Sequence, residues 1–211
     1  MNQPVIGICG GIGAGKSAVA AAFAERGCLV ISSDRLSHEV MESPDVSRQL
    51  AGWWGNEVID ADGRPNRQRI AEIVFRDGAQ KQRLEALLYP LIAQRRSAMI
   101  LSVAGQPAVK AIVLDSPLLF ESRLDRLCDA IVFVDSSRSV RLSRIQQSRQ
   151  WDDAELSRRE AWQLPVEEKR ARSDYQLVNE GSIGETGAQV DTILARILAE
   201  HAAGRSRRSR E

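Results

Sequence analysis

Lysine, threonine, histidine and cysteine are scarce in this chain of 211 residues, and each scarcity excludes something. The four lysines, Lys16, Lys81, Lys110 and Lys169, never follow asparagine, so the Asn-Lys-x-Asp set that reads a guanine base is missing. The two threonines, Thr186 and Thr192, lie far downstream, away from any place where a switch protein senses a γ-phosphate. His38 and His201 have neither metal nor triad spacing. Cys9, Cys28 and Cys128 form an odd set without C-x-x-C, which argues against a disulfide framework and a structural zinc site and fits a reduced, cytoplasmic setting. No apolar run approaches the roughly 18 to 20 residues of a membrane span. The start, Met1-Asn2-Gln3-Pro4, lacks the cationic and long apolar segments of a signal peptide, so no membrane partner is expected. Basic and acidic residues nearly cancel, 29 against 28, so the overall field gives no reason to expect nucleic acid, and any phosphate affinity is local.

What is present is a folding composition, 43% hydrophobic and 27% charged, enough for one main core. Val5-Ile6-Gly7-Ile8-Cys9 is a short apolar run before a glycine cluster, and residues 16–26 read as a helix stopped by Gly27. Further apolar runs at 29–32, 111–114, 130–134 and 175–178 are separated by helical sequence. The pattern predicts an α/β fold, a doubly wound five-stranded parallel sheet. Two segments exceed simple crossovers. Residues 35–105 read as an inserted helical subdomain, with Asp62-Gly63-Arg64-Pro65 as a turn and Pro90 starting or kinking a helix after Tyr89. Residues 137–172 are crowded with charge, including Arg158, Arg159, Glu160, Glu167, Glu168, Lys169 and Arg170, so most of that stretch reads as a solvent-facing helical lid. The expected organisation is a single domain, 1–203, followed by a disordered basic tail, 204–211.

Gly10-Gly11-Ile12-Gly13-Ala14-Gly15-Lys16-Ser17 satisfies G-x-x-x-x-G-K-[ST] between an apolar strand and a helix, where its mechanism requires it. Glycines let the backbone wrap close enough for successive N–H groups of Gly11, Ile12, Gly13, Ala14 and Gly15 to hold a β-phosphate. The helix N-terminus adds partial positive charge, Lys16 spans the β- and γ-phosphates, and the Ser17 hydroxyl ligates Mg²⁺. The cofactors expected are therefore ATP and Mg²⁺.

The rest of the chain favours transfer over hydrolysis. A motor ATPase ends a strand with adjacent Asp-Glu, whereas the candidate strand here ends Val113-Leu114-Asp115-Ser116-Pro117. Ligands of an open parallel sheet gather at the carboxyl ends of its strands, which puts Asp34 and Asp115 in view of the phosphates. Asp34 reads either as the group that takes the proton of an acceptor hydroxyl or as a helix N-cap ahead of Arg35. Asp115 reads as an orienter of metal-bound water or Lys16, or as a strand-end turn. A loose phosphoryl-transfer transition state calls for arginines from a closing segment, and Arg141, Arg144 and Arg149 are the candidates. The four tryptophans, Trp53, Trp54, Trp151 and Trp162, read as packing residues.

Taken together, several elements resemble dephospho-coenzyme A kinases. They are the phosphate loop, the strand ending in Asp34, Leu88-Tyr89-Pro90-Leu91-Ile92, and Asp115-Ser116-Pro117-Leu118-Leu119-Phe120-Glu121. They continue with Val132-Phe133-Val134-Asp135, Arg144 and the arginine-bearing segment after it, Gln163, Ser173-Asp174 and Asn179-Glu180-Gly181. The likeness runs from Val5 into the final helix. It implies a P-loop core, a coenzyme A subdomain at about 35–105, a lid at about 137–172, and transfer of the ATP γ-phosphate to the ribose 3′-hydroxyl of a small molecule, dephospho-coenzyme A. It further implies that Asp34 engages that hydroxyl, that Asn179 belongs to the nucleotide site, and that Tyr89, Asp115 and Leu118 belong to the acceptor site, with Lys16, Arg144 and Arg149 completing the catalytic set. Departures from the pattern are Ala18 after Ser17, Ser33 for a small alanine, Tyr89 for a frequent histidine, and Ser148 where the lid often has arginine, with Arg149 one step later. Oligomeric state has no signature here. Two rival readings are a kinase for another nucleotide or metabolite and a nucleotide-binding regulatory protein without transfer.

Overall fold

The structure, a computed structural model, describes residues 3–205. Residues 206–211, most of the expected basic tail, lie outside the described residues. The chain divides into two compact units: one comprises residues through Ser32 and from Val103 onward, the other Ser33–Ser102.

The first unit is a five-stranded, all-parallel sheet with strands β1 (Val5–Gly10), β2 (Leu29–Ser32), β3 (Ile112–Asp115), β4 (Ala130–Asp135) and β5 (Tyr175–Val178) in the order β2-β3-β1-β4-β5. Every residue of β1 is buried, as a central strand covered on both faces requires. Helices α1 (Lys16–Glu25) and α9 (Ile183–Ala202) cover one face, where Val19, Phe23, Val190, Ile193 and Ile197 pack on Ile6, Ile8, Val113, Val132 and Leu177. Each such aliphatic side chain contributes about 1.5–3 kcal/mol on burial. Arg26 at the end of α1 locks onto α9 through a two-pronged pair with Asp191, at 2.7 and 2.8 Å. Between β4 and β5 run α6 (Arg138–Arg149), α7 (Asp153–Glu160) and α8 (Val166–Ala171).

The order of the strands places the site. The chain leaves β1 toward one edge, to β2, and leaves β4 toward the other, to β5, so the carboxyl ends of neighbouring β1 and β4 flank the crevice in which open α/β sheets bind ligands. On the other flank of β1, Ile8 is in register with Asp115 of β3, and Asp115 in turn with Ser32 of β2.

The second unit is helical: α2 (Ser33–Met41), α3 (Pro44–Trp54), α4 (Arg67–Arg76) and α5 (Gly78–Ser102). Its core gathers Val40, Val46, Leu50, Val58, Ile70, Leu84 and Leu88, with Trp53 and Trp54 packed against it. The Trp54 indole N–H donates to Gln80 Oε1 at 2.9 Å, and the Arg83 guanidinium lies 4.0 Å from the Trp53 ring centre. Pro90 does not start a helix, as the sequence suggested. It sits inside the 25-residue α5, where its missing N–H leaves the Ala86 carbonyl without the usual helical partner. No described helix is long and apolar enough to cross a membrane.

Candidate active site

The loop between β1 and α1 takes a shape that a chain of ordinary residues would resist. Gly13 and Gly15 have φ of 80° and 84°, the left-handed region. A Cβ on Gly15 would come within 2.2 Å of Asn179 Nδ2, and one on Gly13 within 2.7 Å of the Arg141 carbonyl oxygen. The loop is thus both conformationally special and closely backed by protein, which holds its N–H groups in place before any ligand arrives.

That backing comes from β4 and β5. The carbonyl oxygen of Ala14 accepts from Asn179 Nδ2 at 2.8 Å and from Arg144 Nη1 at 3.3 Å, with Ser136 Oγ 3.2 Å away. Arg144 Nη2 donates to the Asn179 carbonyl at 2.8 Å. Thr186, in the first turn of α9, donates from Oγ1 to Asn179 Oδ1 at 3.1 Å, and this fixes which way the amide faces. The first turn of α9 is itself secured by a reciprocal capping box between Ser182 and Glu185. Arg141, only 6% exposed, donates to the Ile12 carbonyl at 3.1 Å and pairs with Glu160 of α7. Arg138 donates to Glu160 at 2.9 Å and to Asp153 at 2.7 Å, so α6 and α7 are tied together by charge.

Lys16 opens α1, and its ammonium donates to the carbonyls of Gly10 at 3.3 Å and Gly11 at 3.0 Å. Burial pushes its pKa down to about 8, against the attraction of Asp115 and aided by repulsion from Lys169. Ser17 follows on the same first turn. Among the described residues no group of three or more His, Cys, Asp or Glu could hold a metal ion by itself.

Several expected residues gather here and others do not. Lys16, Ser17, Arg144 and Asn179 are at the loop, and Asp115 is at the end of the adjacent strand. Leu118, 43% exposed, follows it. Arg149 ends α6 and stacks 4.9 Å from the Trp151 ring centre, which also carries Arg159 at 4.0 Å. In the second unit Asp34 lies inside the first turn of α2, which begins at Ser33; the N-cap reading of Asp34 is therefore wrong, although a carboxylate there still suits the helix dipole. Tyr89 of α5 is 61% exposed, and its hydroxyl is pushed above the ordinary phenol range by burial of its base and by Glu85. Trp162 does not pack as expected but is 84% exposed.

One residue escaped the sequence reading. Lys169, placed there among solvent-facing charges, is 2% exposed. Its ammonium lies 3.1 Å from Glu121 Oε1 and donates to Gln163 Oε1 at 2.9 Å and to the Pro117 carbonyl at 3.3 Å. Burial raises the Glu121 carboxyl, but the Leu164 N–H and the Lys169 ammonium outweigh it and hold Glu121 below the usual range. The available signal was Val166, three residues earlier and hence on the same helical face as Lys169.

Comparison with known proteins narrows the chemistry. The dephospho-CoA kinase family model matches residues 4–185. A dephospho-CoA kinase of Syntrophotalea carbinolica is 35% identical over 196 residues, 92% of this chain and 92% of the relative. One from Anaeromyxobacter dehalogenans is 36% identical over 208 residues, 97% and 95% of the two chains. Among solved structures, TT1252 of Thermus thermophilus has a TM-score of 0.77 at 30% identity, covering 93% of this chain and 98% of that one. A dephospho-CoA kinase of Campylobacter jejuni, with a TM-score of 0.67 at 19% identity over 92% and 97% of the two chains, shares the fold.

Proposed function

The chain belongs to the dephospho-CoA kinase family, and from that premise we propose how its residues carry the reaction. The protein is an ATP-using kinase for a small molecule. The acceptor proposed is dephospho-coenzyme A, phosphorylated on the ribose 3′-hydroxyl to give coenzyme A and ADP. A reduced, cytoplasmic setting is proposed with it, in keeping with the free, buried Cys9, Cys28 and Cys128.

The observation that carries the reading is the glycine loop held open by Arg144, Asn179 and Ser136, with the Lys16 ammonium at its mouth. The Gly11–Gly15 amides and Lys16 bind the phosphates of ATP. Lys16 now rests on two backbone carbonyls, partners it can exchange for phosphate oxygens without stranding a buried carboxylate. Mg²⁺ suits this donor set: a cation that keeps its waters and takes most oxygens from phosphate needs one protein hydroxyl, Ser17, and no cage of carboxylates. When bound, it neutralises charge between the β- and γ-phosphates. Asp115 attracts the Lys16 ammonium and so orients it. Arg144, which touches the loop, adds positive charge where the equatorial oxygens gain negative charge; Arg149, stacked over Trp151, is left out of that role.

Asp34 takes the acceptor proton. It follows β2 by two residues and lies inside the first turn of α2 rather than at its cap. Tyr89 and Leu118 are proposed as acceptor contacts because each offers exposed apolar surface in a segment bearing the family likeness. An ADP-release assay over a panel of acceptors tests the reading: turnover is expected with dephospho-coenzyme A, and turnover confined to another alcohol overturns it. Asp34→Asn is expected to lower kcat by about 10² or more with ATP affinity within about twofold, checked by steady-state kinetics and calorimetry.

A further inference from the structure

The phosphate loop has supports on one flank and a different device on the other. Arg144, Ser136 and Asn179 hold it from the β4 and β5 side, and these contacts grip the nucleotide loop alone. On the β3 side the chain runs from Asp115 into Ser116-Pro117-Leu118-Leu119-Phe120-Glu121. This segment leaves the carboxyl end of a strand adjacent to β1, the edge of an open sheet along which ligands gather.

Lys169 clamps that segment from behind. The Pro117 carbonyl immediately before Leu118 accepts from its ammonium, and Glu121 pairs with it. Glu121 also accepts from the Leu164 N–H at 2.7 Å, and Gln163 accepts from Lys169. Both ends of 117–121 are therefore fastened to 163–169. A further link runs to β1, since Ser173 Oγ donates to the Lys169 carbonyl at 2.7 Å and lies 3.2 Å from Cys9 Sγ. A lysine almost wholly removed from water is expensive to keep charged, and three acceptors around one ammonium are what make it tolerable.

We propose that Lys169 is a positioning residue for the acceptor, latching segment 117–121 to segment 163–169 so that the surface after β3 is held in place by contacts other than those that hold the phosphate loop. This rests on the kinase reading above, and the test separates the two. Lys169→Met is compared with wild type for KM and kcat with each substrate, alongside hydrogen exchange of the 116–121 and 10–17 amides. The expected result is a rise of about fivefold or more in KM for the acceptor, KM for ATP within about twofold, and faster exchange at 116–121 only. Lys169→Arg, which keeps the charge and the donors, is expected to recover the acceptor KM to within about threefold. The double variant Lys169→Met, Glu121→Gln leaves no carboxylate without its ammonium partner and guards against loss of folding. It is expected to fold and to keep the same split in KM. A folded variant with both KM values unchanged, with both raised together, or with exchange quickened equally in 10–17 overturns the proposal, as does failure of both variants to fold. A wild-type enzyme that uses a different acceptor refutes the kinase reading instead, and the KM split is then read on that acceptor.

Discussion

Two buried ammonium groups lie in the sheet unit, one at the mouth of the phosphate loop and one behind the segment that follows β3, and they are held in opposite ways. Lys16 leans on the carbonyls of Gly10 and Gly11, while Lys169 has a carboxylate, a side-chain amide and a carbonyl. Both lose water; the partners differ. A charge kept for a ligand is given weak, replaceable acceptors, and the cost appears as a depressed pKa. A charge kept for the architecture is given a full set, and removing it leaves Glu121 with the Leu164 N–H alone of the two partners. The same side chain is thus a poised binder in one place and a tether in the other, and the acceptors around it decide which.

The contrast is broken or sharpened by three measurements. Lys16→Ala is expected to cut kcat by about 10² to 10³ while leaving Tm unchanged or higher. Its folded pKa is below the unfolded value, so the charged lysine costs stability at neutral pH, a cost that begins to be relieved at about pH 8 and is gone above the ordinary value of 10.5. A large drop in Tm would erase the distinction from Lys169. Next, kcat/KM for ATP is expected to fall as pH rises through about 8, because the free enzyme then loses the proton that the phosphates need on Lys16. A profile flat to pH 10 would show that the loop does not tune its lysine. The smallest effect is expected from Arg149→Ala, less than about threefold in kcat with a loss of about 0.5–1 kcal/mol from the exposed stacking on Trp151. A hundredfold fall in kcat would return Arg149 to the transfer step.

The sheet and its phosphate loop were legible because each strand is a short apolar run and each loop residue has a chemical duty that restricts its identity. The edges of β1, β3 and β4 moved by a single residue from their expected places. What stayed hidden depends on partners distant in the chain. Asn179 is joined to Ala14 across 165 positions, and Lys169 to Pro117 across 52, and no local periodicity announces either. The charge-rich stretch 137–172 misled for the same reason: Arg141 and Lys169 look like solvated helix residues until Glu160 and Glu121 are seen beside them. The N-cap reading of Asp34 started the helix two positions late, since α2 begins at Ser33 and takes the aspartate into its first turn. Pro90 does not mark a helix start because one absent N–H is a small loss in a helix of 25 residues whose Leu84 and Leu88 are anchored in a core.

The hand-off from Thr186 to Asn179 to Ala14 has a consequence for biosynthesis. A cradle begun within the first twenty residues gains its Asn179 support 165 positions later, so a chain halted before residue 179 carries the glycine motif with part of its backing missing.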